Sequence, residues 1–177
     1  MEVLKRIFQE SLNEFFDTEA SNIQNDVAER NLCARFAMIL EPKAKAAGFL
    51  NYFADAEYNR NRGNVKTILD DNSVEVSITC DLILHSRGKL EEQDNLIALE
   101  MKKSNRPDSE EVRDCNRLRI MTKPNYDDVY VTSGSFDSRY VCGYKLGYFL
   151  WLDANNRHYR VREFSSGQEV NEFSGSF

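Results

Sequence analysis

The stretch "NLIALEMKKS", Asn95 to Ser104, constrains this chain more than any other. Its first half is apolar and of strand length, while its second half carries Glu100, Lys102 and Lys103. A short apolar run bounded by polar residues reads as a strand that belongs in the core. Alternate residues of a strand share a face, so Leu96, Ala98, Glu100 and Lys102 lie on one side and Lys103 on the other. Lys103 is read as a solvated strand end. An acid and a lysine on the face of a buried strand either solubilise its terminus or take part in chemistry, and the rest of the sequence bears on that choice.

The flanking patterns predict helices before this strand and a helix after it. Leu4, Ile7, Phe8, Leu12, Phe15 and Phe16 recur at helical intervals. Ser21 or Asn22 can cap a second helix through "VAERNLCARFAMIL", punctuated by Pro42 and Gly48. Its stripe is Leu32, Cys33, Phe36, Ile39 and Leu40, and one turn back lies Glu29, on the core-facing side. "FLNYFADAEYNR" reads as a strand, "NRNRGN" as a loop and "DDNS" as a turn. "VEVSITCDLILH" is a β-branched run suited to a central strand with Asp81 in its middle, on the same face as Thr79 and Ile83. "SRGK" breaks it. After the Asn95 strand, Asp108 and Ser109 start a helix with Val112, Cys115, Leu118 and Met121 along one face, and Pro124 follows it. "DDVYVTS" reads as a strand, and "YVCGYKLGYFLWL" and "HYRVREF" as a hairpin around "DANN". The fold class is therefore α/β, a central mixed sheet flanked by helices. One domain covers residues 1–164, and residues 165–177, "SSGQEVNEFSGSF", read as a polar, loose tail.

Composition narrows the function classes. The chain has 177 residues, enough for one domain with a proper core and a cleft. No apolar run is long enough to span a bilayer, and the N-terminus does not read as a secretory signal. Cys33, Cys80, Cys115 and Cys142 are scattered, with no zinc-ligand spacing beside His85 and His158, which suits free thiols in a reducing cytoplasm. A net charge of −6 argues against a protein that coats nucleic acid by bulk electrostatics. It is compatible with a nucleic-acid enzyme whose carboxylates await cations.

Asp81 and Glu100 lie on strands separated by a short connection, so neighbouring pairing brings them together. Two carboxylates with a lysine suit phosphodiester hydrolysis. Mg²⁺ takes hard oxygen ligands and keeps several waters, so one or two carboxylates plus a substrate phosphate suffice. In that reading Asp81 and Glu100 are ligands, with the Met101 carbonyl a candidate third and Glu29 holding a metal-bound water or a second ion. Lys102 orients or helps deprotonate the attacking water, or neutralises charge on the phosphate. The competing structural reading is a buried salt bridge between Asp81 and Lys102.

Other polar residues are weighed against blander roles. His85 lies about 13 Å along the strand from Asp81 and is read as structural. Asp55, Glu57 and Asn59 alternate on one face, and Glu57 is a candidate contributor or part of an ordinary polar face. Arg157, Arg160 and Arg162 with Tyr159 either grip phosphate, Arg160 and Arg162 above all, or protect an exposed edge strand. The aromatics of "YKLGYFLW" fill the core or form a dimer surface.

Asp81, Glu100 and Lys102 together resemble the acid, acid and lysine of the PD-(D/E)XK, or restriction-endonuclease-like, nuclease superfamily. Glu29 resembles the additional helical acid of many members, and the element order resembles that family's αβββαβ core. "AERNLCARFAMIL", "DAEYNR", "CDLILHSRG", "LIALEMKKS" and "YKLGYFLWL" are similar to small, stand-alone bacterial and phage members. The resemblance spans roughly Glu29 to Leu152, with Cys80 standing where the motif's name carries proline. It implies Mg²⁺- or Mn²⁺-dependent cleavage of DNA or RNA by a cytoplasmic enzyme, structure- or end-directed rather than sequence-specific. Two alternatives stay open: a protein of this fold that binds nucleic acid or a protein partner without cutting, and an interaction module whose acids make structural salt bridges.

Overall fold

Two long helices begin the chain because apolar side chains recur every three or four residues well past the expected break. The computed structural model describes residues 1–58, 60–61, 64–65, 67–69, 75–77, 79–90, 93–124 and 142–177. Helix α1 spans Glu2–Gln24 and buries Leu4, Ile7, Phe8, Leu12, Phe15, Phe16, Glu19 and Ile23. Ser21 and Asn22 therefore lie inside α1 and do not cap the next helix. The stripe continues through Ile23, and the turn comes later, at Asp26, in the left-handed region with φ of 59°.

Helix α2, Glu29–Ala46, starts from the extended Ala28 and passes through Pro42. The proline removes the amide that would have bonded the Met38 carbonyl. Met38 is among the exposed large apolar residues, so that carbonyl lies on the side where water can serve it. The buried stripe of Leu32, Phe36, Leu40 and Ala44 continues past the proline and holds the helix to the core on both sides of it.

The strands are β1 (Phe53–Ala56), β2 (Arg60–Asn61), β3 (Asn64–Val65), β4 (Thr67–Leu69), β5 (Glu75–Ser77), β6 (Leu82–His85), β7 (Asn95–Lys103), β8 (Leu146–Asp153), β9 (His158–Ser165) and β10 (Gln168–Ser176); α3 is Asp108–Met121. Six of them form a mixed sheet in the order β1-β6-β7-β8-β9-β10. All neighbours are antiparallel except β7 and β8, which are parallel and joined through α3. Parallel neighbours need a crossover, and α3 is that crossover. Helices α1 and α2 pack with Leu82, Leu84, Ile97, Leu99, Met101, Tyr148 and Leu150 on one face. Helix α3 packs with Ile83, Ala98, Phe149 and Phe164 on the other. Buried on both faces, β6 and β7 read as near-continuous apolar runs.

Several local expectations change. The strand over "FLNYFADAEYNR" shrinks to β1, ended by Glu57 at φ of 51°. The stretch expected as a loop contains the β2–β3 ribbon. The run from Val74 to His85 is two strands, because β5 pairs with β4 while β6 pairs with β1 and β7. Asp81 lies in the bend between them rather than mid-strand. On α3, Val112 is 64% exposed, and Asp114 is buried beside Cys115, Leu118 and Met121. The "DDNS" turn and the "DDVYVTS" strand lie outside the described residues.

The segment from 165 onward, expected as a loose tail, contains β10, an edge strand on β9. Ser166 and Gly167 both have positive φ and connect Ser165 to Gln168, the geometry of a two-residue type I′ hairpin. Glu172 faces Arg162 across the pair, and Phe177 stacks on Phe16 at 4.9 Å. Strand β9 is therefore interior.

Candidate active site

The charged end of β7 does not run out into water; it runs between two helices. Strand parity holds from Ala98 onward. Ala98 packs on the α3 side, Glu100 and Lys102 meet α3 side chains, and Leu99 and Met101 enter the α1–α2 core. Leu96 is the exception. It packs with the α1–α2 core because the β6–β7 register shifts between Leu84 and His85.

The β6–β7 register pairs Leu82 with Leu99. One step further places Asp81 opposite Glu100. Asp81 Oδ2 accepts a 2.8 Å hydrogen bond from the Met101 amide, and its own carbonyl accepts from the Glu57 amide at 3.0 Å. The bend is thus stitched to β7 on one side and to the end of β1 on the other. The contact that Met101 makes with Asp81 is through its N–H, whereas its carbonyl was the group expected at the site.

Glu100 is 1% exposed, and Arg117 of α3 hydrogen bonds to its Oε1 through Nη1. The same Arg117 nitrogen is 3.3 Å from Asp114 Oδ1, three residues earlier on the helix. Lys102 Nζ lies 3.4 Å from Asp114 Oδ2, 3.7 Å from Glu110 and 4.0 Å from Glu29. The expected structural alternative, an Asp81–Lys102 salt bridge, is thereby replaced by pairs of Lys102 with α2 and α3 acids. Asp114 Oδ2 is buried and receives no well-directed hydrogen bond.

Glu29 opens α2 and reaches the same end of β7. Its Oε1 accepts from the Lys103 amide at 3.0 Å and from Arg106 Nε at 3.4 Å. Lys103, expected in solvent, is only 9% exposed and bonds Asp26 through Nζ at 2.8 Å. The face opposite Lys102 is not solvent: the α1–α2 turn covers it.

Acids outnumber cations deep in this cluster, and their protonation responds. Burial raises the Asp81 pKa, and Glu29 adds to it, against the Met101 amide and Lys102. Burial pushes Glu100 well above the usual carboxyl range, with Asp81 and Asp114 repelling the anion and Arg117 only partly compensating. Asp114 is raised in the same way, by burial and then Asp81, against Lys102 and Arg117. Burial disfavours the Lys102 ammonium, yet Asp114, Asp81 and Glu29 outweigh it and hold that pKa above its ordinary value.

Buried Glu100 and Asp114 and half-buried Asp81, all with raised pKa values and hard oxygen donors, have the chemistry that a divalent cation satisfies. Asp114 Oδ2, lacking a directed donor, fits the same description. Among the described residues, no three Asp, Glu, His or Cys side chains converge as a preformed ion cage; Arg117 and Lys102 share the space with the acids.

The remaining candidates lie elsewhere or are committed. Arg160 makes two 2.8 Å bonds to Glu111 and sits over Trp151. Arg162 pairs with Glu111 and Glu169. Both guanidiniums are thus engaged by acids of α3 and β10, and the edge-protection role also falls, since β9 is interior. His85 is structural, its Nε2 2.9 Å from Asp55, which Arg87 also holds. Glu57 pairs with Arg30 at 2.6 Å.

Sequence reasoning missed Glu110, Asp114 and Arg117. Their signal is a polar stripe at i, i+4 and i+7 on α3, adjoining the apolar stripe of Cys115 and Leu118. Among the described residues, no helix is long and apolar enough to cross a membrane. The chain matches no protein-family model, no curated protein and no solved structure.

Proposed function

We propose that this protein is a metal-dependent nuclease that hydrolyses phosphodiester bonds of DNA or RNA, built on a PD-(D/E)XK-type core. The observation that carries the reading is Asp81, in the bend just before β6, bonded to the Met101 amide beside Glu100 of β7, with Lys102 two residues on and on the same face as Glu100. With the two small ribbons β2–β3 and β4–β5 set aside, the order α2-β1-β6-β7-α3-β8, with β8 parallel to β7, supports it by its resemblance to the αβββαβ order of that superfamily.

Asp81 and Glu100 would hold Mg²⁺ or Mn²⁺, with Asp114 near enough to share the charge. When bound, the ion polarises the phosphoryl oxygen and supplies an activated water. Lys102, paired with Asp114, Glu110 and Glu29, would orient or help deprotonate the attacking water and offset charge growing on the phosphate. Glu29, fixed by the Lys103 amide and Arg106, orients the Lys102 ammonium from the α2 side. The Met101 amide holds the Asp81 carboxylate in place.

The second reading, a non-cutting protein of the same fold, draws on the Glu100–Arg117 ion pair, which satisfies Glu100 without metal. The deciding experiment incubates the purified protein with single- and double-stranded DNA and RNA in Mg²⁺, Mn²⁺ or EDTA. Cleavage that needs the metal and disappears in Lys102→Ala and Glu100→Gln is the expected result. Absence of cleavage on all four substrates, or cleavage that survives both substitutions, contradicts the nuclease reading.

A further inference from the structure

Phosphodiester hydrolysis by Asp81, Glu100 and Lys102 leaves Arg117 without a role. Its guanidinium reaches from α3 to the Glu100 carboxylate, the group the reaction needs for its ion. An arginine and a divalent cation do not share one carboxylate oxygen without strong repulsion. A buried glutamate beside Asp81 and Asp114, however, is costly to leave without a counter-charge. Lys102 does not fill that role, because its ion pairs are with Asp114, Glu110 and Glu29. Arg117 does.

The surroundings allow Arg117 to let go. Its side chain is 25% exposed, so it is not enclosed on all sides. Asp114 lies one helical turn earlier and already has an oxygen 3.3 Å from the same nitrogen. Asp114 also has a second, buried oxygen without a directed hydrogen bond. Arg117 therefore has a second carboxylate within reach of the nitrogen that holds the first.

We propose that Arg117 is an exchangeable counter-cation: it holds Glu100 in the metal-free protein and passes to Asp114 when a divalent cation takes Glu100. The inference rests on the metal-site reading above. It makes Arg117 a positioning residue that competes with the metal. Removing it then tightens metal binding and weakens the metal-free fold together. An arginine that merely braces the site would do the opposite to affinity, since its loss would loosen the carboxylates.

The test is a Mn²⁺ titration of the full-length wild-type, Arg117→Met and Arg117→Lys proteins, read by calorimetry or by the Mn²⁺ resonance, with thermal melts in EDTA alongside. Arg117→Met is expected to bind Mn²⁺ on the order of fivefold or more tighter than wild type, the lower end of ordinary coupling energies. It should also melt earlier in EDTA. Arg117→Lys, which keeps a charge but loses the planar fork, is expected to fall between the two, and it decides the matter alone if the methionine variant does not fold. Mn²⁺ binding to wild type with equal or weaker affinity in the variants overturns the exchange while leaving the metal site standing. No Mn²⁺ binding to any of the three overturns the metal site, and the inference with it.

Discussion

Glu19 on α1 and Glu100 on β7 each bury a carboxylate, 1% exposed at the side chain in both, against an arginine. Burial pushes both pKa values up. At Glu19 the push loses: Asn22 donates at 2.6 Å and Arg35 at 2.7 Å, and the pKa ends below its ordinary value. Arg35 is half-exposed, so this pair lies just beneath the surface. At Glu100 the push wins, because Asp81 and Asp114 add repulsion to deeper burial and Arg117 does not offset them. The same glutamate–arginine pair is a satisfied structural contact in one place and a charge-deficient one in the other. A surplus of acid around a buried carboxylate is what a cation-binding site needs.

The largest way to break that comparison is catalytic. Glu100→Gln keeps the shape of the side chain and should lower metal-dependent cleavage by at least about 10²-fold, the scale of removing one transition-state stabilising group. Glu19→Gln should leave cleavage near wild type when assayed below its melting temperature. Next comes metal-linked stability. A ligand at a hundred times its Kd stabilises a fold by about 2.7 kcal/mol. Mg²⁺ or Mn²⁺ at that excess should raise the melting temperature of wild type and of Glu19→Gln, but not of Glu100→Gln.

Stability in EDTA separates the two sites by the sign of their pH dependence. The lowered pKa of Glu19 means that its contribution is present above the unfolded carboxyl pKa and fades as pH falls through the folded one. Glu19→Gln should therefore cost about 1–2 kcal/mol near neutrality, modest because Arg35 is half-exposed, and less in acid. The raised pKa of Glu100 works the other way. Its contribution is complete below the unfolded value and is lost as pH rises through the folded one. Relative to wild type, Glu100→Gln should gain stability as pH rises, a trend that urea unfolding at pH 5 and pH 8 would measure. The smallest effect concerns α3: Val112→Lys, on the exposed face, should change stability by no more than about 0.5 kcal/mol.

The Glu100–Lys102 pairing was legible because strand parity is local and β7 is regular through that stretch. Asp81 was legible as a partner but not in its conformation, since β5 and β6 belong to different sheets and a β-branched run hides where pairing changes hands. Lys103 was misread because parity tells which face a side chain takes, not what covers that face. Asp114 and Arg117 were overlooked for a related reason: a polar stripe on a helix looks solvated until its partner, here the charged end of β7, is known. The tail was misjudged on polarity alone, although the serine–glycine pair at 166–167 carries the turn signal that makes β10.

The most direct measurement is a Mn²⁺ titration of wild type, Glu19→Gln and Glu100→Gln under identical conditions. Binding to the first two, with loss or a drop of at least about tenfold in the third, is the predicted result. Equal binding in all three, or none in wild type, would contradict a metal centre at Asp81 and Glu100.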